Sequence, residues 1–219
     1  MKALKHDPLS AYLARAPPSP VFRDSSDHAV PSVLSGALTY IKNFLRDQDV
    51  AAIAPSSSFL VRRVCKWIDF EEDQIIVEYG PGNGVFSEFI LDRLTPNSTL
   101  LLIESNADFA EMLEARTADD PRAVVVKDRA ERIVEILDTR GVEAVDYIVS
   151  GIPFSFLDED EKQTLLAQTR NVLSDDGKFL VYQNYNHLEA PLRDHFSEVR
   201  KEYEPRNIPP TMFAYEARK

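Results

Sequence analysis

The sequence predicts a doubly wound α/β domain, a mostly parallel seven-stranded sheet with helices on both faces. Three observations carry this expectation. Short apolar runs without polar alternation recur along the chain, as in strands buried on both faces. Segments with helical spacing separate the first five of these runs. The first run ends in a glycine-rich turn, and such sheets bind their ligands at the carboxyl ends of the strands.

Residues 1–32 are rich in Pro, Ser and Asp, including Ala16-Pro17-Pro18-Ser19-Pro20, and read as an extended arm with a short helix near 9–14. The domain proper is expected over 33–219, opening with helices within 33–68. Leu34, Leu38, Ile41 and Leu45 share one face of the segment 33–47. That face either packs on the domain or touches a lipid or membrane surface, and the sequence leaves both readings open. Pro55-Ser56-Ser57-Ser58 reads as a turn and N-cap for a helix over 59–68. Strands follow at 74–79, 99–104, 123–127, 144–150 and 178–182, with helices at 85–94, 108–116, 129–139 and 158–173 between them. Asp176-Gly177 is a turn pair entering the fifth strand. A helix at 188–195 and strands at 198–203 and 212–217 close the chain.

The chain has 219 residues, 44% of them hydrophobic, which suits one domain with a sizeable core. No apolar run approaches the ~18 residues of a membrane span. Residues 1–10 carry charges and a proline without the apolar stretch of a signal peptide. Cys65 is the single cysteine and cannot form an internal disulfide, so a reducing, cytoplasmic setting is expected, peripheral to the membrane if 33–47 touches lipid. Within its helical segment Cys65 reads as a small buried hydrophobe. A net charge of −11 counts against nucleic acid as a partner, because phosphate binding draws on Lys and Arg. His6, His28, His187 and His195 lack metal-ligand spacing, so no metal is expected.

The first strand runs into Glu78-Tyr79-Gly80-Pro81-Gly82-Asn83-Gly84. Glycines at alternate positions allow a tight turn and close approach of a ligand. The dinucleotide fingerprint places its third glycine one residue later. Glu78, just before the turn, disfavours a pyrophosphate and suits a cationic ligand. Glu104 ends the second strand, where a carboxylate accepts from both hydroxyls of a ribose. Asp128 follows the third strand and either accepts from an adenine amine or caps a helix.

From about residue 51 onward these motifs resemble the class I S-adenosylmethionine (SAM)-dependent methyltransferases. The resemblance implies a Rossmann-like fold with SAM as cofactor. Gly80, Gly82 and Gly84 would border its methionine part, and Glu78 its amino group or an ordered water. Glu104 would bind the ribose and Asp128 the adenine, with Ser150 and Gly151 completing the pocket. Ser56 and Ser57 would hold the SAM carboxylate or cap a helix, and the two roles are compatible.

The fourth strand ends in Ser150-Gly151-Ile152-Pro153-Phe154. Adenine-amine methyltransferases have a similar loop, Asn/Asp-x-Pro-Tyr/Phe, with an acceptor side chain where this chain has Gly151. The bacterial phospholipid N-methyltransferases are a closer resemblance. It rests on Asn43-Phe44-Leu45-Arg46 through Ala52-Ile53-Ala54-Pro55-Ser56-Ser57, on the glycine turn through Val85-Phe86, on Ser150-Gly151-Ile152-Pro153 and on Arg206-Asn207-Ile208-Pro209-Pro210. It implies methyl transfer to an amine, in the first place a phosphatidylethanolamine-type head group. Pro153, Phe154 and Arg206 would then contact the acceptor, Arg206 through its phosphate. Tyr182, Tyr185 and His187, after the fifth strand, would serve the acceptor amine, which must lose a proton before attack. An adenine-specific ribosomal RNA dimethyltransferase, which shares the Asn43-Phe44-Leu45 stretch, and a small-molecule methyltransferase are the alternative readings.

Overall fold

The computed structural model describes residues 56–207 and 211–219. The arm at 1–32 and the amphipathic segment at 33–47 lie outside the described residues. The described helices and strands, in chain order, are α1 (Ser58–Cys65), β1 (Ile75–Tyr79), α2 (Val85–Leu91), β2 (Thr99–Glu104), α3 (Ala107–Thr117), β3 (Ala123–Lys127), α4 (Ile133–Asp138), β4 (Val145–Ser150), α5 (Glu159–Val172), β5 (Leu173–Gln183), α6 (Glu189–His195), β6 (Glu198–Glu204) and β7 (Met212–Arg218). Short 3-10 turns at Ala130–Arg132 and Phe154–Phe156 precede α4 and α5.

The seven strands form one sheet in the order β3-β2-β1-β4-β5-β7-β6. β1 to β5 run parallel, while β7 pairs antiparallel with both β5 and β6. The chain moves outward from β1 to β3, then crosses back to β4 beside β1. That reversal opens a crevice at the carboxyl ends of β1 and β4, the ligand position of this architecture. Ile76, Val77, Leu100, Leu102, Ile148, Val149, Phe179 and Leu180 have no appreciable solvent exposure. Burial of each such side chain contributes about 1.5–3 kcal/mol, so the central strands form a rigid floor for the loops above them.

Local chemistry sets the helix starts. The Ser57 hydroxyl accepts from Leu60 N–H at 3.3 Å and caps α1. Asp158 accepts from Glu161 N–H, and the Glu161 carboxylate accepts from Asp158 N–H in return. This reciprocal box fixes the start of α5. Cys65 is buried in the core, as its helical setting predicts.

The strand at 178–182 is longer than the sequence predicts, because β5 starts at Leu173, opposite Val145. Its register then shifts, so that Tyr147 faces Lys178. The Asp176-Gly177 pair lies inside this irregularity. A Cβ at Gly177 would sit 2.9 Å from the Leu173 Cβ and from the Ser174 backbone, so glycine permits the tight excursion. The helix expected over 129–139 divides into a 3-10 turn and α4.

Candidate active site

The turn after β1 holds three glycines in left-handed backbone, with φ of 62° at Gly80, 56° at Gly82 and 80° at Gly84. They serve different ends. A Cβ at Gly84 would lie 2.9 Å from Leu113 Cδ2, so glycine here lets α2 seat against α3. A Cβ at Gly80 would meet Ile152 at 3.2 Å. Nothing lies within 4 Å of a Cβ placed at Gly82. Gly82 is therefore the glycine that faces open space.

Two carboxylates hold this turn. Glu104, buried at the end of β2, accepts from Gly82 N–H at 3.0 Å through Oε2 and from Asn106 N–H at 2.8 Å through Oε1. Each of its oxygens keeps a further acceptor position. Glu78, 2% exposed, accepts a 2.7 Å hydrogen bond from the Ser87 hydroxyl. Burial pushes its carboxyl up to about 7, the Ser87 bond opposes this, and the Glu104 charge adds to it. The two acidic groups make the crevice hostile to phosphate and receptive to a cation.

Asp128 is half-buried and accepts from Arg129 N–H at 2.8 Å. Its other oxygen accepts from Arg132 at 2.9 Å. The Arg132 partnership is local, at i,i+4, and is absent from the sequence reading. Among the cofactor candidates beyond β4, Ser150 is fully buried and its hydroxyl oxygen accepts from Ile152 N–H at 3.3 Å. Gly151 N–H donates to Tyr79 O at 3.3 Å, tying the β4 loop to β1.

Gly151 also explains the position of Tyr182. A Cβ at 151 would overlap the Tyr182 hydroxyl and approach its Cζ to 2.8 Å. The phenol thus fills the space that a side chain at 151 would need. The Tyr182 ring stacks on Phe86, with centroids 4.6 Å apart and planes 7° from parallel. Its hydroxyl bonds to Ser56. Burial, and then the Glu78 charge, push the phenol well above its usual range, so Tyr182 stays protonated at neutral pH. It can orient a group by hydrogen bonding; it does not serve as an ionised base.

Ser57 has two structural tasks, since its N–H also donates to Asn207 Oδ1 at 2.8 Å. Tyr185 is 64% exposed on the loop after β5. His187 lies on the same loop, half-buried, with no hydrogen-bond partner for Nε2 among the described residues. Burial, and then Lys162, lower its pKa, so the ring is neutral at physiological pH.

Pro153 is exposed, but Phe154 has no exposure and packs against Phe179 with centroids 6.3 Å apart. The ring expected to meet the acceptor is part of the core instead. Its position follows from Gln183, which sequence reasoning left without a role. The Gln183 side-chain oxygen accepts from Phe154 N–H at 3.1 Å, and its amide donates to Ile152 O at 2.7 Å. A polar residue ending an apolar strand was the available signal. Arg206, expected to hold a phosphate, donates through Nε and Nη2 to both oxygens of buried Glu204, at 2.8 and 3.0 Å, which engages one edge of its guanidinium.

No family model matches the sequence. The ornithine lipid N-methyltransferase of Singulisphaera acidiphila is 32% identical over 176 residues, covering 77% of this chain and 88% of that protein. Solved structures of the same fold include the N-methyltransferase NodS of Bradyrhizobium japonicum WM9, in complex with S-adenosylhomocysteine. That likeness has a TM-score of 0.64 at 13% identity, covering 84% of this chain and 98% of the other. The Burkholderia thailandensis 1,6-didemethyltoxoflavin-N1-methyltransferase gives a TM-score of 0.60 at 17% identity, covering 90% and 93%. The residues around the crevice fit the SAM chemistry that such a fold implies: open space at Gly82, acceptor capacity on Glu104 and a buried carboxylate at Glu78 for a cation. With these motifs at the ends of β1 and β2, and with a relative matched over most of its length, the chain belongs to the class I SAM-dependent methyltransferases.

Proposed function

We propose that the chain methylates the amine of a lipid head group, with an ornithine-type amino lipid as the first acceptor to test and phosphatidylethanolamine as the second. The observation that carries this reading is the 32% identity to an ornithine lipid N-methyltransferase across 88% of that protein. The site supports it. Gly151 offers no side-chain acceptor to orient a planar base amine, and the protonated Tyr182 phenol lies over that position.

Bound SAM supplies an electrophilic methyl group. On this reading Glu78 meets its ammonium, Glu104 its ribose and Asp128 its adenine. The protein's main task is then to hold an amine in line with the methyl, where orientation alone can contribute about 7–11 kcal/mol of the barrier. The acceptor ammonium must first lose a proton. Neutral His187 is the candidate base on the loop after β5; its Nε2 is buried without a partner among the described residues, so the ring must turn toward the amine to take that proton. Tyr182 accepts from the remaining amine N–H and fixes the direction of the lone pair. Tyr185, exposed at the mouth, offers a π face to a methylated cation. Residues 33–47 would supply the lipid contact that brings the enzyme to its acceptor.

The test is incubation with methyl-labelled SAM and, separately, vesicles containing ornithine lipid, vesicles containing phosphatidylethanolamine, and ribosomal RNA. Label is expected in the ornithine lipid. Label in RNA alone would overturn the reading. Deletion of residues 1–47 should abolish vesicle flotation, and unchanged flotation would remove the membrane role.

A further inference from the structure

On the outer face of α1 and the end of β6 lies an open cleft of about 310 Å³, lined by Phe59, Arg62, Arg63, Lys66, Glu204 and Arg206. Four of the six are cations, on a chain whose net charge is −11. Their engagements differ. Arg63 donates to Glu204 at 2.7 Å and to Glu202 at 2.5 Å. Lys66 pairs with Glu202, and Arg206 grips both oxygens of Glu204 while its guanidinium lies 4.2 Å from the Phe59 ring centroid. The Arg62 side chain is exposed and has no ion-pair or hydrogen-bond partner among the described residues. Two carboxylates thus offset three of the cations, and Arg62 adds a charge that no described residue answers.

The cleft is tied to the reaction crevice by the chain itself. β6 runs antiparallel to β7, and β7 antiparallel to β5, so β6 and β5 end on the same edge of the sheet. That edge carries Tyr182. Ser56 bonds the Tyr182 hydroxyl, and the next residue, Ser57, bonds Asn207 beside Arg206. Phe59 and Arg62 follow on one face of the first turns of α1. An acceptor whose amine lies at Tyr182 would extend its other polar group toward these residues. Phe59, 45% exposed, provides an apolar wall next to the cations, as suits an amphiphile.

We propose that this cleft is an anion subsite for the acceptor, holding the carboxylate of an amino-acid head group or the phosphodiester of a phospholipid, with Arg62 as its principal contact. The proposal rests on the lipid-amine reading above and extends it from the amine to the rest of the head group. An ornithine head group carries a carboxylate along with its amine, and phosphatidylethanolamine carries a phosphodiester two carbons from its nitrogen. The planar guanidinium of Arg62 matches either anion bidentately. The edge of the Arg206 guanidinium that makes no bond among the described residues adds a second donor.

The experiment uses the full chain saturated with S-adenosylhomocysteine, so that no reaction occurs. Calorimetry compares N-octanoyl ornithine, its carboxamide and dihexanoyl phosphatidylethanolamine, with wild type, Arg62→Ala and Arg62→Lys. If the carboxylate is the ligand, Arg62→Ala should weaken octanoyl ornithine about tenfold and leave the carboxamide unchanged, the size expected of one charge-assisted contact. If the phosphodiester is the ligand, the same loss falls on the phospholipid. Arg62→Lys should recover part of the affinity in either case. Arg62 is exposed and has no partner among the described residues, so the variants are expected to keep their fold, which circular dichroism verifies. Equal affinity of wild type and Arg62→Ala for all three compounds overturns the subsite, as does equal weakening of the carboxylate and carboxamide. Label transfer to the same compounds from SAM reports separately on the lipid-amine reading: methylation that is insensitive to Arg62 removes the subsite and keeps the acceptor class.

Discussion

Replacing Glu78 by Gln should make the unliganded protein more stable at alkaline pH and worse at binding SAM. The carboxyl is buried and rises from near 4.5 to about 7. That gap corresponds to about 3 kcal/mol of preference for the protonated form. The sign follows from proton counting. Between pH 4.5 and 7 the unfolded chain has released the proton and the folded chain still holds it, so stability falls as pH rises across this window and is flat above it. Gln has the same shape and no charge, and Ser87 can still donate to its oxygen. Some of the gain is lost in satisfying the new amide, leaving about 1–2 kcal/mol at pH 8 and near zero at pH 5. For a domain of this size the difference in Tm should open from about zero to roughly 2–8 °C across that range. Thermal unfolding of both proteins without ligand, from pH 5 to 8, reads this directly. In calorimetry with SAM, wild-type affinity should fall as pH drops below 7, because Glu78 must give up its proton to meet an ammonium. The Gln variant should bind more weakly throughout and lose that pH dependence. A Tm difference independent of pH would refute the assignment of the buried charge to Glu78. Unchanged SAM affinity would refute its contact with the ammonium.

Replacing Glu104 by Ala leaves the Gly82 and Asn106 N–H groups without their acceptor, and should weaken SAM at least tenfold while costing about 1–3 kcal/mol of stability by chemical denaturation. Gly82→Ala meets no atom within 4 Å but must hold a φ of 56°, so it should cost about 1–2 kcal/mol and disturb SAM binding; Gly84→Ala adds a 2.9 Å contact with Leu113 and should destabilise more. Asp158→Ala removes the capping box of α5 and should cost about 1 kcal/mol by chemical denaturation. Glu204 is held down to about 2 by Arg206 and Arg63, so its stabilising contribution is present above pH 4.5 and lost as pH falls toward 2; Glu204→Gln should flatten that part of an acid-unfolding profile.

Much of the fold is legible because its strands are strongly apolar. The segments 99–104 and 123–127 are strands over those residues, and the helix at 158–173 starts beside the Asp158 cap that its sequence announces. The start of β5 was hidden because its pairing with Val145 lies before an excursion that no local preference encodes. The site divides in the same way. Glu78, Glu104 and the glycine turn are local features of strand ends and can be read from spacing. The separate duties of Gly82 and Gly84 depend on Leu113, a partner from another helix. Phe154 misled because an aromatic residue beside a proline in a loop has two faces available to it, core or crevice. Gln183, distant in sequence, decides between them. Arg206 was legible only in part, since a lone arginine in the sequence gives no sign that Glu204 faces inward and engages one edge of it.

On the lipid-amine reading, Gly151 and Tyr182 offer a route by which acceptor specificity changes without a change in the cofactor half. A side chain at 151 and a tyrosine at 182 compete for one volume, because a Cβ at 151 overlaps the phenol. A chain with an amide at 151 would need a smaller residue at 182, and would present an acceptor fixed to the β4 loop, aimed at a planar amine. This chain presents instead a phenol fixed to β5, braced by Phe86 from the cofactor turn and by Ser56 from the start of α1. On the lipid-amine reading, a flexible aliphatic amine needs an acceptor for its N–H rather than one held in the plane of a base, because its nitrogen has no plane to match. It follows that Gly151→Ala alone should be harmful, costing about 1–3 kcal/mol through overpacking, and that adding Tyr182→Leu should restore stability without restoring methylation of the amine. Equal thermal stability of the single and double variants would show that the two residues do not share that volume.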